Sequence, residues 1–412
     1  MSACPPTVGL DALVELRPEK VASNKDPSLR YIGLEHIAQG QPHLLGSLPS
    51  SASVSINSCF SKDDILFGKL RPNLRKSLKA PFSGYCSTDI LVLRARNGVL
   101  PQYAAHVFQW ERVFAAASAT GVGTKMPRTS WNDLKRHWVF KPSSEIEQSR
   151  IATVLDTVDD AIAKTEAVIA KLRQVRAGLL HDLLTRGLDH NGQLRDPIAH
   201  PEQFQDSPLG QLPKDWDICL LDDVALRGSG HTPTKDVPSC WDGGIKWVSL
   251  ADSDKLDRIY ISETDKQISE LGIENSSAVK HSAGTVILSR DAGIGKSAIL
   301  AEEMAVSQHF MAWRCGKRLY NLFLYYWLQH NKPQFEAIAM GSTIKTIGLP
   351  YFKRLKIAVP PSEEQRTAAN AMLASEATIA SEEVELRKLQ QLKSGLMTDL
   401  LTGRVRVPEG VV

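Results

Sequence analysis

The chain has 412 residues, of which 42% are hydrophobic, so it can form two or three domains with separate cores. The net charge of +3 does not select a class of partner. The six cysteines form no CxxC pair, and no apolar run reaches the roughly 20 residues of a membrane helix. These features argue against a zinc ribbon and a membrane protein and, without a signal-peptide pattern, favour a cytoplasmic protein with reduced thiols.

The first 140 residues have the pattern of a mixed α/β domain. Alternating or apolar runs predict strands at Tyr31–Ile37, Asp64–Phe67 and Asp89–Leu93. A helix is predicted at Gln102–Ala117, and a short strand near His137–Phe140. Ser144 and Glu147 have the spacing of a capping box, which predicts that a helix starts there.

A long segment then occurs twice in the chain. Glu147–Thr185 recurs without a gap as Glu364–Thr402, at a constant offset of 217 residues. The copies share 15 of 39 positions, whereas unrelated sequences would share roughly two or three. A gapless repeat of this length at the end of each half indicates a duplicated architecture.

Each copy has the apolar spacing of a coiled-coil helix, mostly four and three residues. The first seam is Ile151, Leu155, Val158, Ile162, Thr165, Ile169, Leu172, Val175, Leu179 and Leu183; the second is Met372, Ile379, Leu386, Leu389, Leu392, Leu396 and Leu400. Either helix alone would equally fit an amphipathic core helix. Two matched copies can pair with each other, so we predict a two-helix arm of roughly 60 Å.

The first half of the chain also repeats, but more loosely. Gly187 is expected to end the first helix, and a polar linker over the surface is predicted to follow. Three later stretches match earlier ones: Lys246–Leu250 matches Arg30–Leu34, Val286–Leu288 matches Asp64–Leu66, and Gly341–Lys345 resembles Gly121–Lys125. The offsets drift between 216 and 222 residues, which indicates one scaffold with loops of different length.

We therefore predict an α+β fold, with two pseudo-symmetric α/β domains separated by two long antiparallel helices that form a coiled coil. Antiparallel pairing is favoured because a parallel pair would require the linker to return by roughly 60 Å. The predicted boundaries are 1–142 for the first domain, 143–187 for the first helix, 188–214 for the linker, 215–361 for the second domain, 362–404 for the second helix and 405–412 for a tail.

Local charge is more informative than the total. Lys62–Lys79, Gly123–Lys141 and Gly341–Lys356 each carry a charge of +4, whereas Glu145–Ala170 carries −4. Any one charge run is most simply a solvated face. Three basic runs, two of them in matching loops, favour a polyanion bound by the domains rather than by the helices.

Candidate DNA-binding residues come from these basic loops and from the neighbouring Gly-rich stretch. In the first domain they are Lys69, Arg71, Arg75, Lys125 and Arg128; in the second they are Arg290, Lys296, Ser342, Thr343 and Lys345. Lysine and arginine suit phosphates, and arginine can also recognise guanine in the major groove.

Catalytic motifs are not found. Arg290–Ser297 resembles a phosphate loop, but the motif requires glycine where Arg290 stands. HExxH, GxSxG, NPPY and DPPY do not occur, and the histidines lack the spacing of metal ligands. We therefore predict that this chain alone is not an enzyme and holds neither a metal nor a cofactor.

A set of short motifs carries a family resemblance. The set comprises Leu134-Lys135 and Leu355-Lys356, Pro142 and Pro361 before Glu147-Gln148 and Glu364-Gln365, the Leu-Leu-Thr helix ends, Thr185–Asp189, Asn191-Gly192, Leu194–Asp196, Ser207–Gly210, Leu212-Pro213 and Trp216. Together they resemble the specificity subunits of type I restriction–modification systems, over essentially the whole chain.

The resemblance implies two target-recognition domains, each recognising one half of a split site in double-stranded DNA. It implies two methylation subunits that bind S-adenosylmethionine, and restriction subunits that hydrolyse ATP with Mg²⁺. A non-catalytic coiled-coil scaffold with non-nucleic ligands is the alternative, and binding through phosphates, which must weaken steeply with salt, separates the two. An autonomous nuclease or methyltransferase is disfavoured by the missing motifs.

Overall fold

The computed structural model describes residues 6–22, 26–123, 125–341 and 345–407. They divide into two compact units. Unit 1 comprises Met1–Val168 with Glu382–Val412, and unit 2 comprises Ile169–Ser381. Two long helices each contribute one part to both units. Within the described ranges, none of the helices combines the length and the apolar character that crossing a membrane requires.

The described part of unit 1 contains three sheets. Its strands are β1 (Thr7–Gly9), β2 (Val14–Leu16), β3 (Lys20–Val21), β4 (Arg30–Ile32), β5 (Leu48–Pro49), β6 (Asn57–Phe60), β7 (Ile65–Gly68), β8 (Ser77–Lys79), β9 (Gly84–Cys86), β10 (Ile90–Ala95) and β11 (Trp138–Phe140). Strands β2-β10-β7-β8 form an antiparallel sheet. In the sheet β3-β6-β9-β4-β5, only β4 and β9 are parallel; β1 pairs with β11.

The helices of this unit are α1 (Pro101–Gln109), α2 (Glu111–Ala119), α3 (Trp131–Leu134) and the first part of α4 (Glu145–Thr185). Strand β7 shows why the core forms here: Ile65 and Phe67 belong to the cluster packed on α1 and α2, and Leu66 faces the opposite cluster. This alternation is the period-two pattern of a strand buried on both faces. Phe67 stacks on Phe114 with ring centroids 4.8 Å apart.

Several local predictions for this part differ from the structure. The single helix predicted at Gln102–Ala117 is two helices, because Trp110 between them is extended (ψ 134°) and buried. The strand predicted at Tyr31–Ile37 is only β4, followed by a 3₁₀ turn. The helix start predicted at Ser144 is confirmed, since the Ser144 hydroxyl accepts from the Ile146 amide at 3.1 Å, but Glu147 pairs with Arg406 instead of completing the capping box.

Unit 2 has related sheets that differ in their number of strands. Its strands are β12 (Phe204–Ser207), β13 (Gly210–Pro213), β14 (Asp217–Leu220), β15 (Ala225–Ser229), β16 (Trp241–Val248), β17 (Tyr260–Ile261), β18 (Lys266–Ile268), β19 (Lys280–His281), β20 (Val286–Ser289), β21 (Ser297–Leu300), β22 (Met304–Val306), β23 (Phe310–Cys315) and β24 (Lys356–Val359). The sheets are β15-β23-β20-β21-β17, β18-β16-β22-β19, β14-β24 and the hairpin β12-β13. Strands β16 and β22 are parallel, as β4 and β9 are in unit 1.

The helices of unit 2 are α5 (Leu221–Val224), α6 (Glu270–Glu274), α7 (Asn321–His330), α8 (Lys332–Ile338), α9 (Leu349–Phe352) and parts of α4 and α10 (Ser362–Leu401). The predicted fold class, two similar α/β domains with two long antiparallel helices, is confirmed. The connection predicted as a surface linker is folded instead: it carries the β12-β13 hairpin and buries Leu188, Arg195 and Phe204.

The pairing register corrects two of the sequence matches. Ser289 faces Phe310 as Gly68 faces Ile90, so Val286 is equivalent to Ile65 and not to Asp64. If the match were shifted by one residue, each side chain of the strand would lie on the opposite face of the sheet, and the burial pattern excludes this. The bridges Val122–Arg128 and Met340–Thr346 likewise make Gly123, not Gly121, equivalent to Gly341, and both equivalent glycines have positive φ.

The long helices pair antiparallel within each unit. In unit 1, early residues of α4 (Ile151, Leu155) share a core with late residues of α10 (Met397, Leu400), and Asp159 lies 2.5 Å from Lys393. In unit 2 the late residues of α4 pack on the early residues of α10. Leu180, Leu183 and Leu184 of α4 pack on Ala368, Ala369 and Met372 of α10, and Arg176 donates to Glu376.

The predicted coiled-coil seam is buried through the first half of α4 and opens in the later part of each helix, around Val175 and Leu392. Ile151, Leu155, Ile162 and Ile169 of α4 are buried. Val175 and its equivalent Leu392 are about half exposed, at 52% and 51%. Gly187 ends α4 with φ 63°, as its position predicted.

Candidate nucleic-acid interface

Four of the predicted residues of the first domain lie together at one end of the antiparallel sheet. Lys69 follows β7; its amide donates to the Asp89 carbonyl at 3.0 Å, and its carbonyl accepts from Thr129 at 3.1 Å. The Arg71 amide donates to the Pro127 carbonyl at 2.8 Å, and the Arg71 guanidinium reaches the Lys125 carbonyl at 3.4 Å. The backbone thus brings Lys69, Arg71, Lys125 and Arg128 together in one exposed basic cluster, although they are far apart in sequence.

The loop that carries this cluster is strained. Arg71 and Arg75 flank the 3₁₀ turn Pro72–Leu74, and both are left-handed, with φ of 49° and 50°. This conformation costs a residue with a side chain roughly 1 kcal/mol or more. Both positions nevertheless carry arginine instead of glycine, which is expected if the two side chains have a function at this surface.

Arg128 and Arg75 each have an acidic neighbour. The Arg128 guanidinium donates two hydrogen bonds to the Asp89 carboxylate, at 3.0 and 3.3 Å, and this contact raises the pKa of Arg128. Arg75 lies 3.6 Å from Glu111 instead. Because Arg128 is fixed in orientation by two bonds, it can present its free edge to a base or a phosphate.

In the second domain Arg290 occupies the same structural position as Lys69. Its amide donates to the His309 carbonyl at 2.9 Å, and its carbonyl accepts from Ile347 at 2.9 Å. These bonds reproduce those of Lys69 with Asp89 and Thr129. A cation therefore stands at the equivalent position of both domains, although the side chain of Arg290 is more enclosed, at 20% exposure.

The other predicted residues of the second domain have different environments. The Lys296 ammonium donates to the carbonyl and the hydroxyl of Ser253, at 2.7 and 3.1 Å. Lys345 is exposed and lines a cavity of about 420 Å³ together with Lys296 and Lys332. Ser342 and Thr343 lie outside the described residues.

A polar network beside Arg290 was not predicted from the sequence. The buried carboxylate of Asp291 bonds His309 Nδ1 at 2.6 Å and accepts from the Thr346 hydroxyl. Gln308 accepts from Thr232 at 2.6 Å, and both line an open cavity of about 620 Å³ with Trp241 and Lys266. Such residues carry no local motif; only the meeting of three loops makes them neighbours.

The glutamines that begin the repeated segment have equivalent contacts. Gln148 accepts from the Leu100 amide at 2.8 Å and donates to the carbonyls of Gly98 and Pro142. Gln365 makes the same three bonds, to Tyr320, Arg318 and Pro360. The two-residue Glu-Gln match in the repeat is the signal that could have identified them as the joint between each long helix and its domain.

The acidic residues before these glutamines are also paired. Glu364 accepts from Arg195 at 2.7 Å and from the Leu188 amide at 2.7 Å, and Glu147 accepts from Arg406 at 2.6 Å. In the described ranges, no group of three or more His, Cys, Asp or Glu side chains has the arrangement of a metal site.

Comparison with known proteins gives these features a context. Residues 213–391 match the family model "Type I restriction modification DNA specificity domain". The type I restriction enzyme MjaVIII specificity subunit of Methanocaldococcus jannaschii is 23% identical over 335 residues, which is 79% of this chain and 75% of that protein.

Solved structures show the same fold. A chain from the work on complex assembly and conformational transition of the type I R-M system has a TM-score of 0.60 at 19% identity, covering 98% of this chain and 99% of that chain. The type I restriction-modification S subunit from M. genitalium has a TM-score of 0.56 at 14% identity, covering 96% of both.

The fold is that of a duplicated protein with two similar α/β domains. The matches confirm the resemblance stated from the sequence, which is to type I restriction–modification specificity subunits. Residues 213–391 therefore resemble a type I restriction modification DNA specificity domain, and the scaffold alternative is not favoured.

Proposed function

We propose that each domain recognises one half of a bipartite site in double-stranded DNA, through the basic loops described above. The observation that carries this proposal is the equivalence of Lys69 and Arg290. The backbone hydrogen bonds of the two residues are equivalent, while the neighbours differ: Asp89 and Arg128 in one domain, His309 and Asp291 in the other. A common scaffold with different loop chemistry suits recognition of two different half-sequences.

The paired helices are proposed to set the spacing of the half-sites and to dock two methylation subunits. The acidic run Glu145–Ala170 supports docking rather than DNA contact for this part, because it would repel phosphates. Restriction subunits would complete the complex. S-adenosylmethionine, ATP and Mg²⁺ would be bound by those partners, and this chain would catalyse nothing alone.

Selection from a random DNA pool tests the proposal. The chain, assembled with its methylation subunits, should enrich two short motifs separated by a spacer of fixed length. Lys69→Ala should alter only one motif and Arg290→Ala only the other. A single continuous motif, or variants that change both halves alike, would overturn the proposal. Loss of binding to all sequences equally would assign the altered residue to a phosphate instead.

A further inference from the structure

Gln308 is an exposed residue beside Arg290 in the candidate interface. It lies in the loop between β22 and β23, and the carbonyl of the next residue, His309, accepts from the Arg290 amide at 2.9 Å. The side chain of Gln308 lines the open cavity of about 620 Å³. The two ends of its amide group have opposite hydrogen-bonding character, so the orientation of the amide decides which ligand it can bind.

Two neighbours define the orientation of the Gln308 amide. Its oxygen accepts from the Thr232 hydroxyl at 2.6 Å, and its nitrogen lies 3.4 Å from Nε2 of His309. An amide nitrogen can only donate, so Nε2 is the acceptor of this contact. The hydrogen of the imidazole ring is then on Nδ1.

The buried carboxylate of Asp291 supports this form of the ring. It lies 2.6 Å from His309 Nδ1 and accepts the hydrogen of that atom. The Thr346 hydroxyl donates to the same carboxylate, and only 8% of Asp291 is exposed. A ring that donates from Nδ1 accepts at Nε2, so the direction of the hydrogen bonds is transmitted from Asp291 through His309 to Gln308.

The Gln308 amide keeps one donor and one acceptor for a ligand. An amide group has two N–H donors and two lone pairs on its oxygen, and the bonds to His309 and Thr232 use one of each. In the major groove, adenine presents the N7 acceptor beside the N6 donor, and glutamine can bond both. Guanine presents two acceptors there, and neither cytosine nor thymine presents such a pair.

The first domain has different chemistry at the equivalent positions. The strand registers make Thr88 the counterpart of Gln308, and Asp89 the counterpart of His309. Asp89 orients the Arg128 guanidinium by two hydrogen bonds, at 3.0 and 3.3 Å. The same pair of loops therefore orients a guanidinium in the first domain and an amide in the second.

We propose that Gln308 recognises an adenine in the half-site of the second domain, and that Asp291, His309 and Thr232 are positioning residues that fix its amide. This assignment rests on the proposed function and names the base recognised at that site. A group that is oriented before binding loses less conformational freedom on contact, which favours recognition of one base.

The base is tested by selection from a random DNA pool with the chain assembled with its methylation subunits. The wild-type complex should require adenine at one position of one half-motif. Gln308→Ala should lower that preference about tenfold, and Gln308→Glu should change it to cytosine, because a carboxylate accepts from cytosine N4. Gln211→Glu is the control, since it adds the same charge at an exposed residue of β13 and should leave both motifs unchanged.

The outcomes of this selection are distinct. An unchanged motif in both Gln308 variants would overturn the assignment, as would equal weakening on all sequences, which identifies a phosphate contact. If the wild-type complex enriched no bipartite motif, the proposed function itself would fail.

The contacting atom is tested with a duplex in which 7-deazaadenine replaces the recognised adenine. This base lacks the N7 acceptor but pairs with thymine as adenine does. The replacement should weaken binding of the wild-type complex about fivefold and should not change binding of Gln308→Ala. Equal weakening of both complexes, or of neither, would contradict a contact between Gln308 and N7.

The positioning residues are tested by the same selection. His309→Phe, Thr232→Val and Asp291→Asn should each lower the preference for adenine at the position that Gln308 recognises and leave the other positions of that half-motif unchanged. A merely structural role would instead weaken recognition at all positions. Thr232→Ser retains the hydroxyl and should retain the preference. Full adenine preference in both His309→Phe and Thr232→Val would exclude the positioning role.

Discussion

Arg71 and Arg75 are held in a backbone conformation that glycine adopts at no cost. Such strain persists where a surrounding structure enforces it, and it is common at functional sites. Here the Arg71 amide is fixed by the Pro127 carbonyl, so the loop has no freedom to relax. The strain therefore places a guanidinium beside Lys69 and Arg128 at the expense of stability.

Replacing Arg71 by glycine should separate stability from binding. Arg71→Gly should raise the unfolding free energy by up to about 1 kcal/mol, because the strain is relieved. DNA affinity should fall, and the slope of log affinity against log salt should decrease by about one. Asp63→Gly is the matched control, since Asp63 is also left-handed, with φ 69°, but lies outside the cluster. Unchanged affinity in Arg71→Gly would exclude Arg71 from the interface.

Gln148 and Gln365 should each stabilise the joint between a long helix and its domain. Gln365→Leu and Gln148→Leu each leave three backbone groups without their partner, so each should destabilise the protein by roughly 2–4 kcal/mol. Hydrogen exchange should show lost protection in unit 2 for Gln365→Leu and in unit 1 for Gln148→Leu. The exposed Gln391→Leu is the control and should change little. Equal loss in both units from either variant would contradict this role.

Some residues of the candidate interface could be predicted from the sequence, because they lie in basic runs that occur in both halves of the chain. Lys69, Arg71, Lys125 and Arg128 were selected from sequence and do lie together. Their equivalence with the second domain could not be seen, because Arg290 and Lys69 share a position but not a residue type. The Asp89 carboxylate that orients Arg128 comes from a separate loop that only the fold brings near.

Among the elements, the long helices were the most predictable part of the fold, because a gapless repeat preserves the spacing of the apolar residues. The looser repeat was predictable only approximately. Matching Val286 to Asp64 missed by one residue, since apolar runs alone do not reveal which face a strand buries. The break at Trp110 was missed because the apolar pattern continues across it.

The length of the two paired helices should determine the length of the spacer between the half-motifs. A heptad inserted after Val168 and a matching heptad inserted after Glu383 would preserve the antiparallel register that Asp159–Lys393 and Arg176–Glu376 define. The insertion adds about 10 Å of helix, which corresponds to about three base pairs. The preferred spacer should lengthen by that amount in a DNA-selection experiment, while both half-motifs stay the same.

A heptad inserted in one helix only is the control. It would shift the apolar seam out of register and should lower the melting temperature rather than move the spacer. A spacer of unchanged length in the double insertion would show that the helices do not set the distance between half-sites.

At the scale of the whole molecule, duplication explains the distribution of sequence similarity. The joints between domain and helix, Gln148 and Gln365, keep the same contacts in both copies, whereas the loops at the basic clusters have diverged. One scaffold can thus support two recognition surfaces that change independently.

The most direct test of the central claim is a methylation map of the host genome with and without this gene. One bipartite motif, two short defined sequences separated by a spacer of fixed length, should lose its methylation when the gene is removed. Restoring the gene should restore that motif and no other. An unchanged map, or loss of a continuous motif, would contradict the claim that two domains of this chain recognise two halves of one DNA site.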